Sequence, residues 1–150
     1  MGKKIIKTSD APQAIGPYSQ AVEAGGFVFV SGQIPLDPKT GAVAAADIKA
    51  QAALVLENAK AILAAADCPL SAVVKTTIYL KSMADFAAVN EVYGGYFTSD
   101  PPARATVEVS RLPKDVSLEM DFVASTSSAR SSTASTPREA PAIRRTCRPR

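Results

Sequence analysis

Along positions 3–124 the apolar residues switch repeatedly between a period of two and a period of about 3.6, and the order of those switches restricts the fold more than any other feature. Residues 3–8 predict a short edge strand, and Gly16-Pro17-Tyr18 a turn. Residues 21–23 and 27–31 predict strands joined through Gly25-Gly26, a hairpin signal. Beyond a loop at 35–41, Asp47 predicts the cap of a helix reaching about Ala66, with Ile48, Ala52, Val55, Leu56, Ala59, Ile62 and Leu63 on one stripe. Cys68-Pro69 breaks that helix, and residues 73–80 alternate as an interior strand. Ser82 predicts the cap of a second helix running through Phe97, and residues 103–109 and 116–124 complete the sheet as a hairpin. The order β-β-β-α-β-α-β-β predicts an α+β domain, a mainly antiparallel sheet with two helices on one face. The uncovered face predicts oligomerisation.

At 150 residues the chain suffices for one core. Its net charge of +3 is unevenly placed: six arginines against Glu139 give a surplus of five beyond residue 125 and leave residues 1–125 near −2. The expected folded part therefore carries no electrostatic footprint for nucleic acid. Residues 126–150, rich in Ser, Pro and Arg, predict a disordered basic tail, since they hold too little apolar surface to offset the entropy of ordering. That tail is a solvated extension or the one element that could meet RNA. Cys68 and Cys147 make no disulfide framework, which fits a reducing, cytoplasmic setting, and no apolar run predicts a membrane span.

The chain contains no histidine, which removes Ser-His and Cys-His nucleophile pairs and histidine-ligated metals, and no glycine-rich phosphate loop occurs. Cofactor-free, metal-free chemistry is what remains. Arg104, behind Pro101-Pro102, could offer its planar fork to a carboxylate or form an internal ion pair with Glu108, Glu119 or Asp121. Glu119, between Leu118 and Met120, could take a proton from water or simply face solvent. On the hairpin reading Val107, Val109, Leu118, Met120 and Phe122 pack under the helices, and Arg104, Thr106, Glu108, Glu119 and Asp121 share the opposite face. Tyr18, on a stiff turn, could aim its hydroxyl at a ligand or be a half-buried ring with a wet tip. Ser31-Gly32 could mark a close backbone approach to a small molecule or a plain turn. Asn90 and Tyr93 share a helix face, which serves packing or a site, and Asn58, mid-helix, could brace a loop.

Five separated blocks resemble the Rid (YjgF-type) imine deaminases in order and spacing over residues 2–125. They are Gly16-Pro17-Tyr18-Ser19-Gln20-Ala21, Phe29-Val30-Ser31-Gly32-Gln33-Ile34-Pro35, Leu56-Glu57-Asn58-Ala59-Lys60-Ala61-Ile62-Leu63, Asp85-Phe86-Ala87-Ala88-Val89-Asn90-Glu91-Val92-Tyr93, and Pro102-Ala103-Arg104 through Leu118-Glu119-Met120. The resemblance implies a fold like that of the small bacterial chorismate mutase, a homotrimer with clefts between subunits, and hydrolysis of 2-iminoacids or their enamines to 2-oxoacids and ammonia. It implies that Arg104 holds the substrate carboxylate, that Glu119 activates or positions water, and that Tyr18, Ser31, Gly32 and Asn90 shape the pocket. Thr106 stands where many members carry cysteine, so a thiol role is absent there. A ligand-binding or chaperone-like stress protein, and an endoribonuclease that inhibits translation, are the competing expectations.

Overall fold

The computed structural model describes residues 2–44 and 46–126, and the expected tail lies outside the described residues from position 127 onward. Thr126 is tied back to the fold, its backbone N–H donating to the Gly26 carbonyl at 2.9 Å. Six strands and two α-helices follow one another as β1 (Lys4–Ile6), β2 (Ala21–Ala24), β3 (Phe27–Gln33), α1 (Ile48–Ala65), β4 (Val73–Leu80), α2 (Phe86–Tyr96), β5 (Ala103–Glu108) and β6 (Leu118–Ser125). They form a single sheet in the order β1-β2-β3-β6-β4-β5.

Local chemistry places both helices where the sequence predicts them. The Asp47 carboxylate accepts from the Ala50 N–H at 2.8 Å and satisfies one of the open donors of the first turn of α1. Ala52, Val55, Leu56, Ala59, Ile62 and Leu63 then form the buried stripe of α1. Ser82 caps a short 3₁₀ turn at Met83–Asp85, not the α-helix itself, and α2 begins one residue later. Asn58 is 2% exposed among these apolar neighbours, and its side-chain amide donates to the Leu36 carbonyl at 2.9 Å, bracing the loop after β3. Asn58→Ala would strand a buried carbonyl, and we expect a loss of about 1–3 kcal/mol in urea unfolding.

The last two strands do not form the expected hairpin. β5 pairs with β4 in parallel, whereas β6 lies between β3 and β4 and is antiparallel to both. The sheet is thus mixed, with one parallel pairing among four antiparallel ones. Burial explains the arrangement. β6 alternates buried and half-buried residues along its whole length, so one entire face needs cover and both edges need partners. β5 is mostly exposed and lies at the edge.

The parity of β5 is corrected as well. Thr76, which faces α2, is opposite Arg104, and Tyr79 is opposite both Val107 and Glu119. Arg104, Thr106 and Glu108 therefore stand on the helix side of the sheet, while Glu119 and Asp121 stand on the bare side. Val107, expected under the helices, is 42% exposed on the bare side. Leu118, Met120 and Phe122 are in the core as expected. No helix among the described residues is long and apolar enough to cross a membrane.

Candidate active site

The residues singled out in the sequence separate into two groups, one on each side of the sheet. The first group surrounds Glu119. Between Val30 and Gln33 the register of β3 against β6 slips by one residue, a bulge that turns Ser31-Gly32 out of the regular ladder. The Ser31 hydroxyl donates to the Ser19 carbonyl at 2.5 Å and its N–H to the Gln20 carbonyl at 3.0 Å, which fixes the turn carrying Tyr18 against the strand. Gly32 lies directly against the Glu119 carboxyl. A Cβ built there falls 2.9 Å from Glu119 Cδ and overlaps Oε1. With glycine at this position the Glu119 carboxyl can occupy the space that a Cβ would take.

Tyr18, Ser31, Gly32 and Glu119 line one cleft of about 650 Å3, together with Ile15 and Lys114. Tyr18 is 54% exposed, and its phenol oxygen accepts from the Ile15 N–H at 3.3 Å. Glu119 is held above the usual carboxylate range, chiefly because burial disfavours its charged form and secondarily because Asp121 is nearby. The Asp121 carboxylate in turn accepts from the Tyr79 hydroxyl at 3.0 Å.

The second group surrounds Arg104. Its Nη1 donates to Asn90 Oδ1 at 2.8 Å, and its Cζ lies 4.8 Å from the centre of the Tyr93 ring and 5.6 Å from that of Phe86. Arg104 also lines a hollow of about 450 Å3 with Tyr93, Phe97 and Pro102. Among the described residues it has no salt bridge, so the internal pair with Glu108, Glu119 or Asp121 does not form. Thr106, two residues along the same face, has a buried hydroxyl with no hydrogen-bond partner among the described residues. One chain thus joins Arg104, Asn90 and Thr106 on one side and Tyr18, Ser31, Gly32 and Glu119 on the other, and does not bring the two groups together.

Three contributors were not recognised from sequence. Gln20 is buried, and its amide accepts from the Thr8 N–H at 2.8 Å and donates to the Pro12 carbonyl at 2.8 Å, which holds the wall of the Glu119 cleft in place. Lys114 reaches that cleft from a left-handed backbone at φ 54°. Phe86 supplies the second ring beside Arg104. A glutamine just before an apolar strand was a visible signal, whereas nothing in the Leu112-Pro113-Lys114 run announces a left-handed lysine.

The protein is a small α+β domain whose mixed sheet carries on one face an arginine with no carboxylate partner among the described residues and on the other a partly desolvated glutamate. Residues 8–126 match the family described as endoribonuclease L-PSP. The chain belongs to this family, the YjgF/Rid group. It is 58% identical over 122 residues to a RutC family protein of Pyrococcus horikoshii, covering 81% of this chain and 97% of that one. It is 53% identical over 124 residues to the 2-iminobutanoate/2-iminopropanoate deaminase of Salmonella typhimurium, covering 81% and 96%. Among solved structures, Escherichia coli TdcF with bound serine superposes with a TM-score of 0.79 at 48% identity, covering 83% and 99%.

Glu119 should be sensitive to the residue that touches it. In Gly32→Ala the added methyl meets only the Glu119 side chain, from Cγ to Oε1, so the protein should fold with near-normal stability while the carboxyl moves by about 1 Å. Any reaction that depends on that carboxyl should slow by about a hundredfold, with the melting temperature little changed.

Proposed function

We propose that this chain is a cofactor-free deaminase that hydrolyses 2-iminobutanoate, 2-iminopropanoate and their enamines, and that it works as a homotrimer with each site between neighbouring copies. The observation that carries the proposal is the opposite placement of Arg104 and Glu119. Their side chains leave the sheet in opposite directions, so a short imino acid held by one is screened by the sheet from the other. A second copy seated on the bare face would bring its own β5 edge to the Glu119 cleft. That face offers apolar area for such contact, including Phe29, 48% exposed, and Val107.

In the shared cleft Arg104 of one copy would grip the substrate carboxylate with the guanidinium edge not used by Asn90. Glu119 of the next would orient a water molecule. The water oxygen bonds to the imine carbon, and its proton passes to the carboxylate. The carboxyl returns that proton to the nitrogen, giving a carbinolamine; the carboxylate then takes the proton of the new hydroxyl and passes it to the amine nitrogen, the C–N bond breaks as the C=O bond forms, and ammonia leaves a 2-oxoacid behind. A carboxyl whose affinity for protons is raised by burial suits this alternation. Tyr18, Ser31 and Gly32 would shape the water side, and Asn90 and Thr106 the substrate side. A cytoplasmic setting, where pyridoxal-phosphate dehydratases release such imines, fits the proposal, and a relative 53% identical supports it by name.

RNA cleavage is the second reading, favoured by the family's description. The near −2 charge of residues 1–125 and the lack of histidine oppose it. Coupling a threonine dehydratase to the protein and following 2-oxobutanoate and ammonia tests the first reading. Faster imine loss supports it, and a rate equal to the uncatalysed one rejects it. Digestion of a single-stranded RNA by the same preparation would favour the second.

A further inference from the structure

The guanidinium of Arg104 is held by one helix face, and that face is itself anchored. Phe86, Asn90 and Tyr93 stand at i, i+4 and i+7 of α2. Asn90 takes one Nη1 hydrogen, and Cζ lies over both rings, nearer to that of Tyr93. Arg104 itself is exposed, so a long side chain at the sheet edge would otherwise sample many rotamers. Tyr93 differs from Phe86 in being only 5% exposed and in having its hydroxyl 2.7 Å from Thr76 Oγ1, a buried hydrogen bond between α2 and the centre of β4. Thr76 is the residue opposite Arg104 on the neighbouring strand, so ring, strand and arginine close a short loop of contacts.

We propose that Tyr93, tethered through its hydroxyl to Thr76, is the positioning residue of Arg104: its ring holds the guanidinium so that the edge not used by Asn90 faces a ligand carboxylate. The proposal rests on the role given above to Arg104. Two effects are expected to combine. The ring face attracts the cation, and the tether fixes the ring, so the ordering cost of the arginine is met before ligand arrives. Burial pushes the Tyr93 phenol up, so the ring stays neutral throughout the ordinary pH range.

The test is the affinity for 2-oxobutanoate, read by calorimetry, in four variants with folding checked by thermal melts. Tyr93→Leu should weaken binding about tenfold, and Tyr93→Phe, which keeps the ring, about two- to threefold. Arg104→Lys should weaken it strongly, and adding Tyr93→Leu to Arg104→Lys should then change it less than twofold, because the group being positioned is gone. Unchanged affinity in Tyr93→Leu, or the same tenfold loss in both backgrounds, would overturn the proposal. The free protein gives an independent reading. Nitrogen NMR of the Arg104 guanidinium should show slow rotation about Cζ–Nη bonds in the wild type and averaged signals in Tyr93→Leu. Wild-type affinity in Arg104→Lys would reject Arg104 as the carboxylate anchor, and the NMR comparison would then judge the positioning role by itself.

Discussion

Arg104→Ala should reduce kcat/KM for 2-iminobutanoate about a thousandfold, about 4 kcal/mol of transition-state binding, with little effect on folding. The asymmetry follows from the contacts of the side chain. Arg104 has no carboxylate partner among the described residues, so its removal leaves no buried charge unpaired. On the proposed role, what disappears is the two-point grip on the acid end of the substrate, and with it the placement of the imine carbon beside water. Arg104→Lys should recover only part of the loss, since an ammonium is a point charge and lacks the fork. Steady-state kinetics on 2-iminobutanoate released by a dehydratase, with a melt of each variant, measures both halves of the expectation.

The second large effect belongs to Glu119. Glu119→Gln keeps shape and removes the ability to accept a proton, and we expect kcat to fall by a hundredfold or more. Stability should move in the opposite direction. The folded-state affinity of Glu119 for a proton is raised, first by burial and then by Asp121. The group's stabilising contribution is therefore complete below the ordinary glutamate range and is lost as pH rises through the raised value. At neutral and alkaline pH the wild type keeps a disfavoured charge that Glu119→Gln lacks. The variant should melt higher than the wild type at pH 8 and show no advantage at pH 4. Parallel melts at the two pH values check the sign, and a lower melting temperature for the variant at pH 8 would contradict it.

Much of the fold was legible because each element carries its own signal. The stripe from Ala52 to Leu63, the Asp47 cap and the loop brace at Asn58 are local consequences of residue type and spacing. The pairing of the last strands was not legible in that way. Alternation says that one face of β6 is buried but does not name its neighbours, and two strands close in sequence invite a hairpin. The overlooked signal was the helix between residues 80 and 103. A strand, a helix and another strand in succession favour parallel pairing of the two strands, as β4 and β5 adopt. The same oversight put Arg104 and Glu119 on one face. Their chemical types were readable, and their separation was not, because faces are set by register across strands and a slip of one residue exchanges them.

The central claim, a site divided between copies of the chain, is tested most directly by mixing two inactive variants. Arg104→Ala and Glu119→Gln, unfolded together and co-refolded in equal amounts, should form hybrids in which an intact arginine from one copy meets an intact glutamate from another. Random assembly predicts recovery of about a quarter of wild-type deaminase activity. If the hybrids stay as inactive as either variant alone while subunit exchange is verified by mass spectrometry, the two residues do not share a site across copies.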